Sequence, residues 1–266
     1  MPTWAGNRIV AAIILVTVAV MVFVFINMAE KGRKFYVRKV AGVDAMDEAL
    51  DRATEMGGCV NFCVGDVAGL SGNYVSQTIA GFEVLRYIAG HCARLRTRLI
   101  CSTIGRSGSG GDLVPIQTEI IRDAYAEAGH EEEFSPTIVR FLSGDREGYE
   151  TAIYDLYVKE KVTTNVFFGA WAGAMPQPTI IAKTLGITHI SGTARTVQMS
   201  LQACISDYFI MGEEIFAVGG FLSKEPETLA SIAMSDYIKY GIVTILLIGS
   251  ITYWLGSDAI RSALLM

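Results

Sequence analysis

Residues 98–129 read RLICSTI, GRSGSGG, DLVPIQTEIIRDAYAEAG: an apolar run, a glycine-rich turn and a helical-period segment in direct succession. Residues 98–104 have the length and composition of a buried strand. Residues 112–129 read as a helix, with Pro115 tolerated because it falls in the first turn. Strand, glycine turn and helix in that order are the unit from which parallel sheets are built.

The same unit recurs on both sides. Upstream, residues 43–56 form an amphipathic helix, with Asp44 as N-cap and Asp47 in the first turn. Its apolar side is Ala45, Met46, Ala49, Leu50 and Ala53, and Gly57-Gly58 ends it. Residues 59–64 read as a short buried strand closed by Gly65-Asp66. Residues 77–95 then read as a helix, with Ile79, Phe82, Val84, Leu85 and Ile88 as core candidates. Downstream, strands at 137–142, 163–170 and 188–191 alternate with helices at 145–161, 178–185 and 196–204, after an acidic loop at 130–134. Residues 208–211 and 215–221 are further strand candidates. The expected fold is a three-layer α/β domain of Rossmann or flavodoxin type with a mainly parallel sheet.

Two hydrophobic segments flank this domain. Residues 9–28 are almost wholly apolar and long enough to cross a bilayer as one helix. They are too long for a typical signal-peptide core, and no small-residue cleavage site follows, so a retained anchor is expected. Residues 237–256 supply a second span, with Tyr237 and Tyr240 at one end and Tyr253 and Trp254 at the other. Gly241, Gly249 and Gly256 share one stripe of it, with Ser250 alongside, and small residues there permit close helix packing. Lys31, Arg33, Lys34, Arg38 and Lys39 follow the first span, which marks that flank as cytoplasmic and suits anionic lipid headgroups. The expected layout is an outside tail at 1–8, spans at 9–28 and 237–256, a basic juxtamembrane segment at 29–42, a cytosolic domain at 43–236, and an outside tail at 257–266.

The net charge of −5 argues against a nucleic-acid partner. The five cysteines include no CxxC pair and have no histidine cluster nearby, so they read as reduced buried thiols rather than metal ligands. No cofactor is indicated, and no catalytic residue. The histidines, His91, His130 and His189, are scattered over a helix, a loop and a strand.

The sharpest candidate for ligand chemistry is the turn Gly105, Arg106, Ser107, Gly108, Ser109, Gly110 and Gly111. A glycine-rich turn entering a helix converges backbone N–H groups on an anion, and Arg106 could add charge. The turn carries neither the Walker A lysine nor the dinucleotide spacing, and a plain strand-to-helix loop explains it as well. Asp66 and Asp145 also follow expected strands, at the edge where open α/β sheets bind ligands. They could face one crevice and hold a cation or a ribose hydroxyl; equally, Asp145 is the N-cap of its helix.

Several segments are similar to a prokaryotic family of membrane-anchored proteins defined as a domain of unknown function. They are Tyr36-Val-Arg-Lys-Val-Ala-Gly-Val-Asp44, Asp47-Glu-Ala-Leu50 and Arg52-Ala-Thr-Glu-Met-Gly57 near the start. Further on are Ala93-Arg-Leu-Arg-Thr-Arg-Leu99, Val139-Arg-Phe-Leu-Ser143, Gly192-Thr193, Asp207-Tyr208, Gly212-Glu-Glu214 and Leu222-Ser-Lys-Glu-Pro226. The chain departs from that family after the first strand, where Cys63-Val-Gly-Asp66 stands in place of a Val-Pro-Gly-like turn. The resemblance implies two membrane passes around a cytosolic α/β domain, in the cell membrane of a prokaryote, and brings no activity. Two functions remain in view. One is a membrane-anchored assembly or accessory protein that forms a homo-oligomer or docks onto a larger membrane complex. The other is a nucleotide- or phosphometabolite-binding sensor or enzyme using the turn at 105–111.

Overall fold

A computed structural model describes residues 6–33, 41–105, 110–223 and 226–254. Helices α1 (Gly6–Glu30) and α2 (Ala41–Glu55) precede the first strand, β1 (Cys59–Cys63). Then come α3 (Val75–Leu95), β2 (Arg98–Ile104), α4 (Gly110–Glu127), two single 3-10 turns and β3 (Val139–Ser143). The series continues with α5 (Arg146–Lys159), β4 (Val162–Phe168), α6 (Pro176–Thr184), β5 (Thr188–Thr193), α7 (Thr196–Ile205) and β6 (Tyr208–Met211). Helices α8 (Glu214–Ser223) and α9 (Pro226–Trp254) end the described chain. These elements form two compact units: Lys39–Ser223, and Met1–Arg38 together with Lys224–Met266.

In the larger unit the six strands form one parallel sheet in the order β3-β2-β1-β4-β5-β6. The chain starts at the centre, winds to one edge, and crosses back to wind the other way. This is the doubly wound α/β arrangement expected from the alternating pattern. Both faces of the sheet are covered, and the central strands β1 and β4 are buried at nearly every position. On β1, Val60 and Phe62 pack with Leu50, Val84, Leu85 and Ile88 on the side of α2 and α3. Cys59 and Cys63 point the other way, into a second core with Tyr149, Ile153, Phe167 and Trp171. Burying side chains of this size contributes about 1.5–3 kcal/mol each, set against the chain entropy lost on folding.

Three local expectations are corrected. Residues 215–221, expected as a strand, form most of α8. A seven-residue run that is apolar at nearly every position has no period to distinguish the two states. Its helical form buries Ile215 and Val218, three positions apart, on one face. Gly219 faces α3, where a Cβ would lie 3.5 Å from Ala80 Cα. Ile79, expected in the core, is 49 % exposed; α3 instead turns Thr78, Phe82 and Leu85 inward. Helix α2 begins at Ala41, so Asp44 lies in its first turn rather than at its cap.

The smaller unit holds two helices long and apolar enough to cross a membrane, over Ala12–Glu30 and Ile232–Trp254. Within it α1 and α9 pack side by side, with the Phe25 and Tyr237 rings 5.4 Å apart. A Cβ on Gly241 would meet nothing within 4 Å, so this residue is not at the α1 contact. Lys31 and Arg33 are exposed directly after α1, while Lys34, Arg38, Lys39 and Gly256 lie outside the described residues. Gly249 is in the interior of α9, half-buried.

Candidate functional site

The strand order reverses between β1 and β4, and the crevice outside their carboxyl ends is where such a sheet ordinarily holds a ligand. Here the two loops at that point lie in contact. Gly65 and Gly169 adopt φ of +126° and +135°, which side-chain-bearing residues rarely adopt. A Cβ on Gly65 would come within 1.9 Å of Ala170 O, and one on Gly169 within 2.4 Å of Val64 O. The backbones are joined directly: Ala170 N–H donates to Val64 O (2.9 Å) and Val67 N–H donates to Ala170 O (3.2 Å).

Asp66 completes the closure. It is 1 % exposed, and its carboxylate accepts the backbone N–H groups of Ala172 (2.5 Å), Gly173 (3.0 Å) and Ala174 (3.2 Å). Three successive N–H groups ahead of a helix, here α6, form the kind of nest that takes up phosphate or carboxylate. The occupant is the chain's own side chain. Around it, the buried Gln198 donates through Nε2 to Ala172 O (2.5 Å). Arg195 donates to the Tyr74 hydroxyl, and its guanidinium carbon lies 4.7 Å from the centre of that ring. Trp171 is fully buried and stacks on Phe167 at 4.5 Å.

The other residues singled out from the sequence are not gathered here. Asp145 follows β3, two strands away from β1, and is exposed. Adjacent strands are about 4.8 Å apart, so the two carboxylates belong to different parts of the edge. Asp145 caps α5: its side chain accepts from Gly148 N–H at 2.7 Å. That bond, and a second from the Ser143 hydroxyl, hold its carboxyl below the usual range. In the glycine-rich turn, Gly105 N–H already donates to Ser143 O (3.0 Å). Arg106, Ser107, Gly108 and Ser109 lie outside the described residues, while Gly110 and Gly111 are the first residues of α4.

A buried polar row through the second core was missed from the sequence. Asn61, Asn165 and His189 are register partners on β1, β4 and β5, and all three are fully buried. Asn61 Nδ2 donates to Asn165 Oδ1 (2.7 Å), and Asn165 Nδ2 donates to His189 Nδ1 (2.8 Å). Burial lowers the imidazole to about 3, so it is neutral at ordinary pH. With Nδ1 accepting, its one proton is on Nε2, which donates to Thr179 Oγ1 at 3.0 Å. Behind Thr179, Gln202 Oε1 accepts from Ser206, whose hydroxyl also meets that of Ser191 (2.6 Å). In the sequence they are single polar residues on three separate strands, and only the register of β1, β4 and β5 brings them into one row. With its members shielded from solvent, the row acts on strand register rather than on a substrate.

Four of the five thiols are equally enclosed. Cys59, Cys63, Cys92 and Cys101 are buried, and desolvation raises Cys59 and Cys63 to about 11. A thiol of that kind is a poor nucleophile at neutral pH. Native protein treated with a maleimide should therefore gain one adduct, at the exposed Cys204, and four more after unfolding. Intact-mass measurement checks this, and rapid native labelling of Cys63 would contradict the closed loop beside it.

No curated protein and no solved structure matches the chain. A family model described as Domain of unknown function (DUF6754) matches residues 1–264. With practically its whole length covered, the chain belongs to the DUF6754 family.

Proposed function

We propose that this protein is a membrane-anchored assembly module whose α/β domain joins copies of the chain at the cytosolic face of a prokaryotic cell membrane. Residues 9–28 and 237–256 act as the two spans with both termini outside, and Lys31, Arg33, Lys34, Arg38 and Lys39 meet anionic headgroups. The observation that carries this reading is the apolar outer face of α7 beside the sheet edge. Val197 is 65 % and Leu201 49 % exposed, and with Cys204 they follow one helical stripe at i, i+4 and i+7. Next to it the edge strand β6 reads Tyr-Phe-Ile-Met, with Tyr208 and Met211 exposed and none of the lysines or prolines that usually protect an edge. An apolar surface on an unprotected edge favours association. A ligand at the switch point is less favoured, because Asp66 already occupies the N–H groups there; the alternative, a nucleotide- or phosphometabolite-binding sensor or enzyme, rests instead on the turn at 105–111.

Cys204 reports on this face without competition from the buried thiols. Bis-maleimide treatment of membranes containing the full chain should give a cross-linked dimer that is absent in Cys204→Ser and reduced several-fold in Leu201→Glu. If Cys204 takes up a monofunctional maleimide but no linker length yields a dimer, α7 is not the contact.

A further inference from the structure

At the opposite edge of the sheet, where β2 and β3 begin, a cavity of about 250 Å³ opens beside the end of α3. Arg96, Arg98 and Arg140 line it together with Glu133 and Tyr125. Arg98 and Arg140 share Glu160, one carboxylate oxygen each, at 2.5 and 2.6 Å, and together they hold that carboxyl below the usual range. Arg96 meets Glu133 through Nε at 3.1 Å. Three guanidiniums thus share two carboxylates, and each guanidinium has five N–H donors to place. Neither Nη group of Arg96 has a partner among the described residues.

Two further features bear on the cavity. Tyr125, 4 % exposed as a residue, lines the cavity and brings a hydroxyl that can donate to a ligand there. Arg96 also occupies the left-handed position that ends α3, with φ of 55°, where glycine is the usual choice. That backbone conformation carries an arginine at the mouth of the cavity instead.

We propose that this cavity is a binding site for the phosphoryl group of a small ligand, held by Arg96, Arg98 and Arg140 with the Tyr125 hydroxyl as a further donor. The surplus of forked donors matches a phosphate oxyanion, which guanidinium groups bind through paired N–H bonds. The volume is below that of typical drug-sized pockets, so the fit is to inorganic phosphate or a compact phosphate ester rather than a dinucleotide. A soluble ester and a lipid headgroup present the same group, and the experiment separates them.

The test uses the full chain in mild detergent, followed by thermal unfolding at constant ionic strength set with chloride. One arm titrates inorganic phosphate and glycerol 3-phosphate; the other titrates a short-chain phosphatidic acid against the matching phosphatidylcholine. A saturable rise in Tm in either arm is expected, and the arm that responds names the source. Arg96→Gln changes an exposed side chain, so its Tm without ligand should match the parent while its apparent Kd weakens at least tenfold. Tyr125→Phe should weaken it several-fold. No saturable rise in either arm, or a rise that Arg96→Gln leaves intact, overturns the proposal.

Discussion

Replacing His189 by leucine should destabilise the larger unit by about 3 kcal/mol, because Asn165 and Thr179 each lose a buried partner. For a domain of this size that is roughly 6–12 °C in Tm. The pH profile separates this loss from a simple packing defect. Burial places the folded imidazole at about 3, against 6.5 for an unperturbed histidine. Between those values the unfolded chain binds a proton that the folded chain does not, so stability is full above pH 6.5 and falls as pH drops. From pH 7.5 to pH 5 the wild type should lose about 2 kcal/mol through this residue alone. His189→Leu should lack that component while starting from a lower Tm. Chemical unfolding at each pH reads both effects. A variant with the same pH slope as wild type would show that His189 does not titrate as its burial requires.

Asp66→Ala should have a comparable effect by a different route. The substitution leaves three converging N–H groups, of Ala172, Gly173 and Ala174, without their acceptor at a buried loop. Orphaned buried donors cost about 1–3 kcal/mol each, reduced where water enters, so a loss of about 3–5 kcal/mol is expected. The emptied nest keeps its preference for a carboxylate. Added formate should therefore raise the Tm of Asp66→Ala and leave the wild type unchanged. Asp66→Asn, which retains one acceptor oxygen, should fall between the two. An alanine variant of wild-type stability would mean that the carboxylate does not hold the β1 and β4 loops together.

These two sites differ from the features that were legible in the sequence. The bounds of β2 and β6 follow from composition, and Asp145 is readable as a cap because its partner, Gly148, is three residues away. The partners of Asp66 lie more than a hundred residues along the chain, and nothing local to Gly65-Asp66 indicates them. The same holds for Asn61, Asn165 and His189, whose alignment exists only once β1, β4 and β5 are in register. Residues 215–221 failed for another reason: with nearly every position apolar, only the packing of Ile215 and Val218 decides between helix and strand. The strand-and-helix alternation was therefore enough for the fold class. It could not show that the crevice expected to hold a ligand is closed by the chain itself.

If the domain works through its surface, its mass in a membrane mimic is the most direct readout. Native mass spectrometry of the full chain released from mild detergent should show a dimer or larger species, shifted towards monomer in Leu201→Glu. Monomer alone across the accessible concentration range, with no other protein co-purifying, would contradict the assembly role.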